Sequence, residues 1–155
     1  MKDEQNKLLK ATICAILPYE LKGQVPIEVF NGSYDIYDGS PEYDDMDVDV
    51  ELNGINVGND EIEVTPLNDN LIDTMMDYTY TIWDFVPYLR PLKDMTPDEE
   101  SIWMQYKGKI ATCSDDDLDD NIVALHNWYN KNHFDIYHLI EKGYALVAHK
   151  GMYNS

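Results

Sequence analysis

Asp45, Asp47, Asp49 and Glu51 alternate with Met46, Val48, Val50 and Leu52. Every second residue of a β-strand points to the same face, and such residues stand about 6.8 Å apart. The spacing therefore predicts a row of carboxylates at close to the interval of successive phosphates along one nucleic-acid strand. The chemistry open to such a row is electrostatic: it can occupy a cationic protein groove that otherwise holds DNA or RNA. Glu61 and Glu63, alternating with Ile62 and Val64, add two carboxylates on another strand. The competing reading is a solvated outer face, because outward charge is an ordinary protection against edge-to-edge pairing.

The charge around this row is strongly segregated. Sixteen carboxylates and no Lys, Arg or His lie between Lys22 and Arg90, while the rest of the chain carries 14 acids against 11 bases. A net charge of −19 repels nucleic-acid and membrane phosphates and attracts basic protein surfaces. The expected partner is thus a basic protein, with no direct nucleic-acid or membrane contact.

Other chemistries find less support. Asp49-Val-Glu51-Leu-Asn53-Gly54 with Asp60 twelfth shadows a calcium loop. Positions three and twelve depart from that pattern, and the flanks read as strands where the loop needs helices. His126, His133, His138 and His149 fall in the last thirty residues with Asp135 and Glu141 nearby. Zinc needs three or four convergent ligands, and this spacing matches no recognised site, so no metal and no cofactor is expected. Cys113 has a downstream His but no local nucleophile signature, and Cys14 sits in an apolar stripe as a small core residue. No G-x-S-x-G and no glycine-rich phosphate loop is present. An enzyme using the C-terminal histidines or a cysteine is the alternative from another class, and a structural phage component is a third.

The elements that must position these residues follow from periodicity. Residues 3–17 predict an amphipathic helix through Leu9, Ile13 and Ile16, widened by Leu8 and Leu17 and stopped by Pro18. Val25, Ile27 and Val29 then switch to period two, and Asn31-Gly32 predicts a tight hairpin turn with Tyr34–Tyr37 returning. Met46–Leu52 is the clearest strand; Asn53-Gly54 predicts a second turn and Glu61–Thr65 a further strand. For Leu71–Trp83 the pattern does not decide between helix and strand. Phe85–Leu89 is strand-like. Thr96-Pro97-Asp98-Glu99 is a capping signature opening a helix that runs to Gly108, with Ile102, Trp103 and Tyr106 on its apolar face. Ser114 caps a second helix carrying Leu118, Ile122, Leu125 and Tyr129. A third is expected over Ile136–Lys142, closed by Gly143, before an extended edge at Tyr144–His149.

Hydrophobic content of 44% with 12 Tyr argues for a packed interior rather than disorder. The reading is a single domain over 1–155, with an acidic β-rich part at about 22–90 and a helical part at about 95–143. Its class is α+β: an N-terminal helix, a small twisted antiparallel sheet, and C-terminal helices packed on it. No signal peptide or membrane-spanning run is evident, and a cytoplasmic location is expected.

Three segments carry a resemblance. Leu17-Pro-Tyr19 with Leu21-Lys22, then Pro87-Tyr-Leu-Arg-Pro-Leu92 followed by Met95-Thr-Pro-Asp-Glu-Glu100, and Asn132-His-Phe-Asp135 leading to Leu139–Ala145, are similar to a family of small proteins encoded by phages, prophages and mobile elements of gut anaerobes. That family carries no established activity, so the resemblance implies a genomic context and no catalytic residues. It favours an accessory role such as inhibition of host defence. The expected function is therefore a non-enzymatic acidic interaction protein, a nucleic-acid mimic that binds a basic surface through Asp45, Asp47, Asp49, Glu51, Glu61 and Glu63.

Overall fold

A computed structural model describes residues 2–71 and 79–153. Residues 72–78, in the stretch where the pattern leaves helix and strand open, lie outside the described residues. The chain is α+β and forms two compact units, residues 20–87 and residues 1–19 with 88–155.

The first unit is the sheet. β1 (Leu21–Tyr34), β2 (Pro41–Asn56), β3 (Glu61–Pro66), β4 (Thr79–Thr81) and the start of β5 (Val86–Leu89) run in the order β4-β3-β2-β1-β5, every pair antiparallel. Period-two alternation puts Leu21, Val25, Ile27, Val48, Val50, Leu52, Ile62 and Val64 on one buried face. Met46, assigned to that face by its spacing, is 45% exposed because the β1–β2 pair runs on past the core. Gly23 is required where β1 meets β5. A Cβ there would lie 2.6 Å from the Val86 carbonyl oxygen and nearer still to the Phe85 ring.

Both Asn-Gly turns are corrected. The first hairpin turns at residues 35–39, where the Asp35 carbonyl accepts the Gly39 N–H at 3.0 Å and the Asp35 carboxylate accepts the Tyr37 N–H at 2.7 Å. Tyr34 ends β1 opposite Pro41 instead of starting the return strand. Asn31 and Gly32 fall in a bulge between the pairs Phe30↔Tyr43 and Tyr34↔Pro41, with Gly32 at φ +88° and the Asn31 side chain accepting the Ser33 N–H at 2.8 Å. The positive φ that makes Asn-Gly a turn former serves a bulge equally well. Asn53 is the extra residue of a second bulge, between Leu52↔Val64 and Gly54↔Glu63, formed without a positive φ at Gly54, and the Asn53 side-chain amide donates to the Thr65 hydroxyl. The chain reverses instead at residues 57–60, with Asp60 at φ +54°.

The second unit holds the helices. α1 (Lys2–Ile16) buries Leu9, Ile13 and Ile16. Cys14 lies off that stripe and is exposed, so its assignment to the core is corrected: the stripe spacing of three and four residues skips it. α2 (Pro97–Thr112) starts with a full capping box. Thr96 Oγ1 accepts the Glu99 N–H at 3.2 Å, and Glu99 Oε1 accepts the Thr96 N–H at 3.0 Å. α2 continues through Gly108 to Thr112. α3 (Asp115–Lys131) meets it where Trp103 Nε1 donates to Tyr129 Oη at 2.6 Å and Tyr106 packs 5.9 Å from Trp128.

No helix forms at 136–142. His138 takes φ +57°, which α-geometry forbids, and the segment folds as turns around the buried Asp135. Its carboxylate accepts the Leu139 and Ile140 N–H groups at 2.8 and 3.0 Å. Gly143 at φ +83° does close the segment. It donates to the Ile140 carbonyl at 3.1 Å, while the Tyr144 N–H reaches the Leu139 carbonyl at 2.9 Å. The extended edge shrinks to β6 (Leu146–Val147), parallel to Tyr88 and Leu89.

Candidate interaction face

Directly opposed residues of an antiparallel pair share a face. On β2, Asp45, Asp47, Asp49 and Glu51 stand opposite Glu28, Pro26, Gln24 and Lys22 of β1, and on its other side Glu51 stands opposite Thr65 of β3. Glu63 and Glu61 alternate with buried Val64 and Ile62, so they share the face of Thr65 and Glu51. All six predicted carboxylates are brought to one sheet face. Glu28 makes a seventh, which the sequence reading did not select; its period-two relation to Gln24 and Pro26 was the available signal.

Lys22 is the one cation on this face among the described residues, and its Nζ lies 3.6 Å from Glu20. Asp45, Asp47, Glu61 and Glu63 are exposed, whereas Asp49 and Glu51 are half-buried. Gln24 donates from its side-chain amide to Asp49 Oδ1 at 3.2 Å. The face is thus a hydrated field of negative charge with few internal donors, suited to binding cations on another molecule and not to proton transfer within a closed site.

The remaining candidates do not converge. Among the described residues no group of three or more His, Cys, Asp and Glu side chains gathers as a metal site. His133 is buried, stacked on Tyr153 at 3.5 Å between ring centroids, and its Nε2 donates to the Tyr19 carbonyl at 3.0 Å. His138 is exposed. The Cys113 thiol points back to the Ile110 carbonyl at 3.6 Å. The would-be calcium residues Asp49, Glu51 and Asn53 lie along β2, not in a loop.

A cleft of about 400 Å³ in the helical unit is lined by Asp94, Asp135, His138 and Glu141 among others. Asp135 is engaged by the Leu139 and Ile140 N–H groups there. Beside it, the Arg90 guanidinium forks onto both Glu99 oxygens and lies 4.5 Å over the Phe134 ring. This hydrogen bonding holds the Glu99 carboxyl below the usual carboxylate range despite its partial burial. No helix among the described residues is long and apolar enough to cross a membrane. No protein-family model, curated protein or solved structure matches the chain.

Proposed function

We propose that this protein acts by binding and not by catalysis: its acidic sheet face engages a basic protein surface as a nucleic-acid mimic. One observation carries this reading. Among the described residues seven carboxylates, Glu28, Asp45, Asp47, Asp49, Glu51, Glu61 and Glu63, share one face with a single cation. Four of them form a row at about the phosphate interval. A cationic groove built for a polyanion gains from such a row what it gains from phosphates, with the same dependence on salt. The phage or mobile-element context implied by the resemblance makes a nuclease or another host defence factor the expected target, met in the cytoplasm.

The test is capture of host proteins on immobilised protein, with elution by salt and competition by duplex DNA. The native chain should retain DNA-displaceable basic proteins that a variant with Asp45, Asp47 and Asp49 changed to Asn and Glu51 to Gln does not. Equal retention by that variant, insensitive to salt, would sink the proposal.

A further inference from the structure

The acidic face does not stop at Asp45. Continuing outward, the next pair on the same face is Tyr43 opposite Phe30, and the Tyr34 ring follows at 5.3 Å from Phe30. Phe30 and Tyr43 meet edge to face at 6.2 Å. These rings are 43%, 61% and 50% exposed for Phe30, Tyr34 and Tyr43. They sit on a two-stranded ribbon. Among the described residues, β1 pairs with β5 only at Gly23 and Gln24, and β2 pairs with β3 only from Val50 onward. Beyond Ile27 the ribbon therefore runs on for about 20 Å with neither edge paired to a third strand. Three adjacent aromatic rings on such an arm are an interaction surface, since isolated ribbons are marginal and soluble monomers rarely display contiguous apolar patches.

The charge around the rings selects the occupant. Glu28, Asp35, Asp38, Glu42, Asp44, Asp45 and Asp47 all belong to the arm, which carries no Lys, Arg or His. A second copy of the chain or a nucleic acid would bring like charge onto it. A lysine-rich surface would satisfy the carboxylates but make little use of ring faces. Guanidinium does both, because it is planar, stacks on aromatic rings and forks onto carboxylates. We infer that the aromatic arm formed by Phe30, Tyr34 and Tyr43 anchors an arginine-bearing segment of the basic partner, with the carboxylates of the same face beside it. This deepens the acidic-face reading and rests on it.

Labelled octa-arginine and octa-lysine serve as probes, read by fluorescence anisotropy against the full chain. The native protein should bind octa-arginine about two- to fivefold tighter, the scale of an exposed cation–π contact. Changing Phe30, Tyr34 and Tyr43 together to Leu keeps apolar area and removes the rings; the two peptides should then bind alike, with salt dependence intact. In the native chain, octa-arginine should also shift the ring-proton NMR signals of these three residues more than octa-lysine does, a readout independent of the variant's folding. The variant with Asn and Gln at the acid row should lose affinity for both peptides while keeping the ratio, which separates failure of the row from failure of the anchor. An arginine preference that survives the Leu substitutions would overturn the inference. So would a single-stranded oligonucleotide that shifts the same rings, or absence of binding by either peptide.

Discussion

Replacing Asp45, Asp47 and Asp49 by Asn and Glu51 by Gln should make the protein more stable, not less. Neighbours in the row stand about 6.8 Å apart, so each adjacent pair repels by about 0.6 kcal/mol in water. Asp45 faces Glu28 directly across the strand pair, at about 5 Å, which adds about 0.8 kcal/mol. Lys22 faces Glu51 in the same way and offsets about as much, so together these terms reach about 2 kcal/mol without screening and fall below about 1 kcal/mol at physiological salt, where the Debye length is about 8 Å. The hydrogen bond from Gln24 survives, because Asn at 49 keeps an oxygen acceptor. Thermal unfolding of native and variant protein across a salt series measures the difference. The variant's midpoint should lie several degrees higher at low salt, with the gap closing as salt rises. A variant that is less stable at every ionic strength would refute the reasoning, because the carboxylates would then be held by favourable contacts within the fold and not poised for an external cation.

The turn corrections separate the glycines. Gly23→Ala should destabilise by about 1–3 kcal/mol or more through overpacking against Phe85 and Val86, whereas Gly54→Ala, in open space without a positive φ, should stay within about 0.5 kcal/mol by denaturant titration. Glu99→Gln should cost about 1.5–3 kcal/mol by unmaking the charged fork with Arg90. Because Arg90 lowers the folded-state value of Glu99 below 4.5, its contribution is present above that pH and lost as pH falls through the lower folded value. The acid unfolding profile of the variant should accordingly be flatter there. Asp135→Ala should leave the Leu139 and Ile140 N–H groups without their carboxylate partner and cost about 1–3 kcal/mol, with faster amide exchange at 139–143 as the local sign.

Much of this architecture was legible in the chain because its signals are local. The stripe Leu9, Ile13, Ile16 marks a helix whatever surrounds it, and the Thr96–Glu99 capping box is closed by residues three apart. Strict alternation over Met46–Leu52 and Glu61–Thr65 dictated which side chains share a face, so the six carboxylates could be grouped before any register was known. What alternation cannot supply is pairing. Asn31-Gly32 and Asn53-Gly54 satisfy the backbone demands of a turn and of a bulge alike, and only the partner strand decides between them. That decision moved the hairpin tip to residues 35–39, lengthened β1, and thereby set Phe30, Tyr34 and Tyr43 on the face of the acid row. The loss of the predicted helix at 136–142 has the same origin. Its composition is helical enough, but a buried Asp135 taking two backbone N–H groups, with His138 in the left-handed region, offers the chain a competing set of hydrogen bonds that periodicity does not register. Local period determined what each strand and helix presents; long-range hydrogen bonding decided where each one ends and what lies beside it.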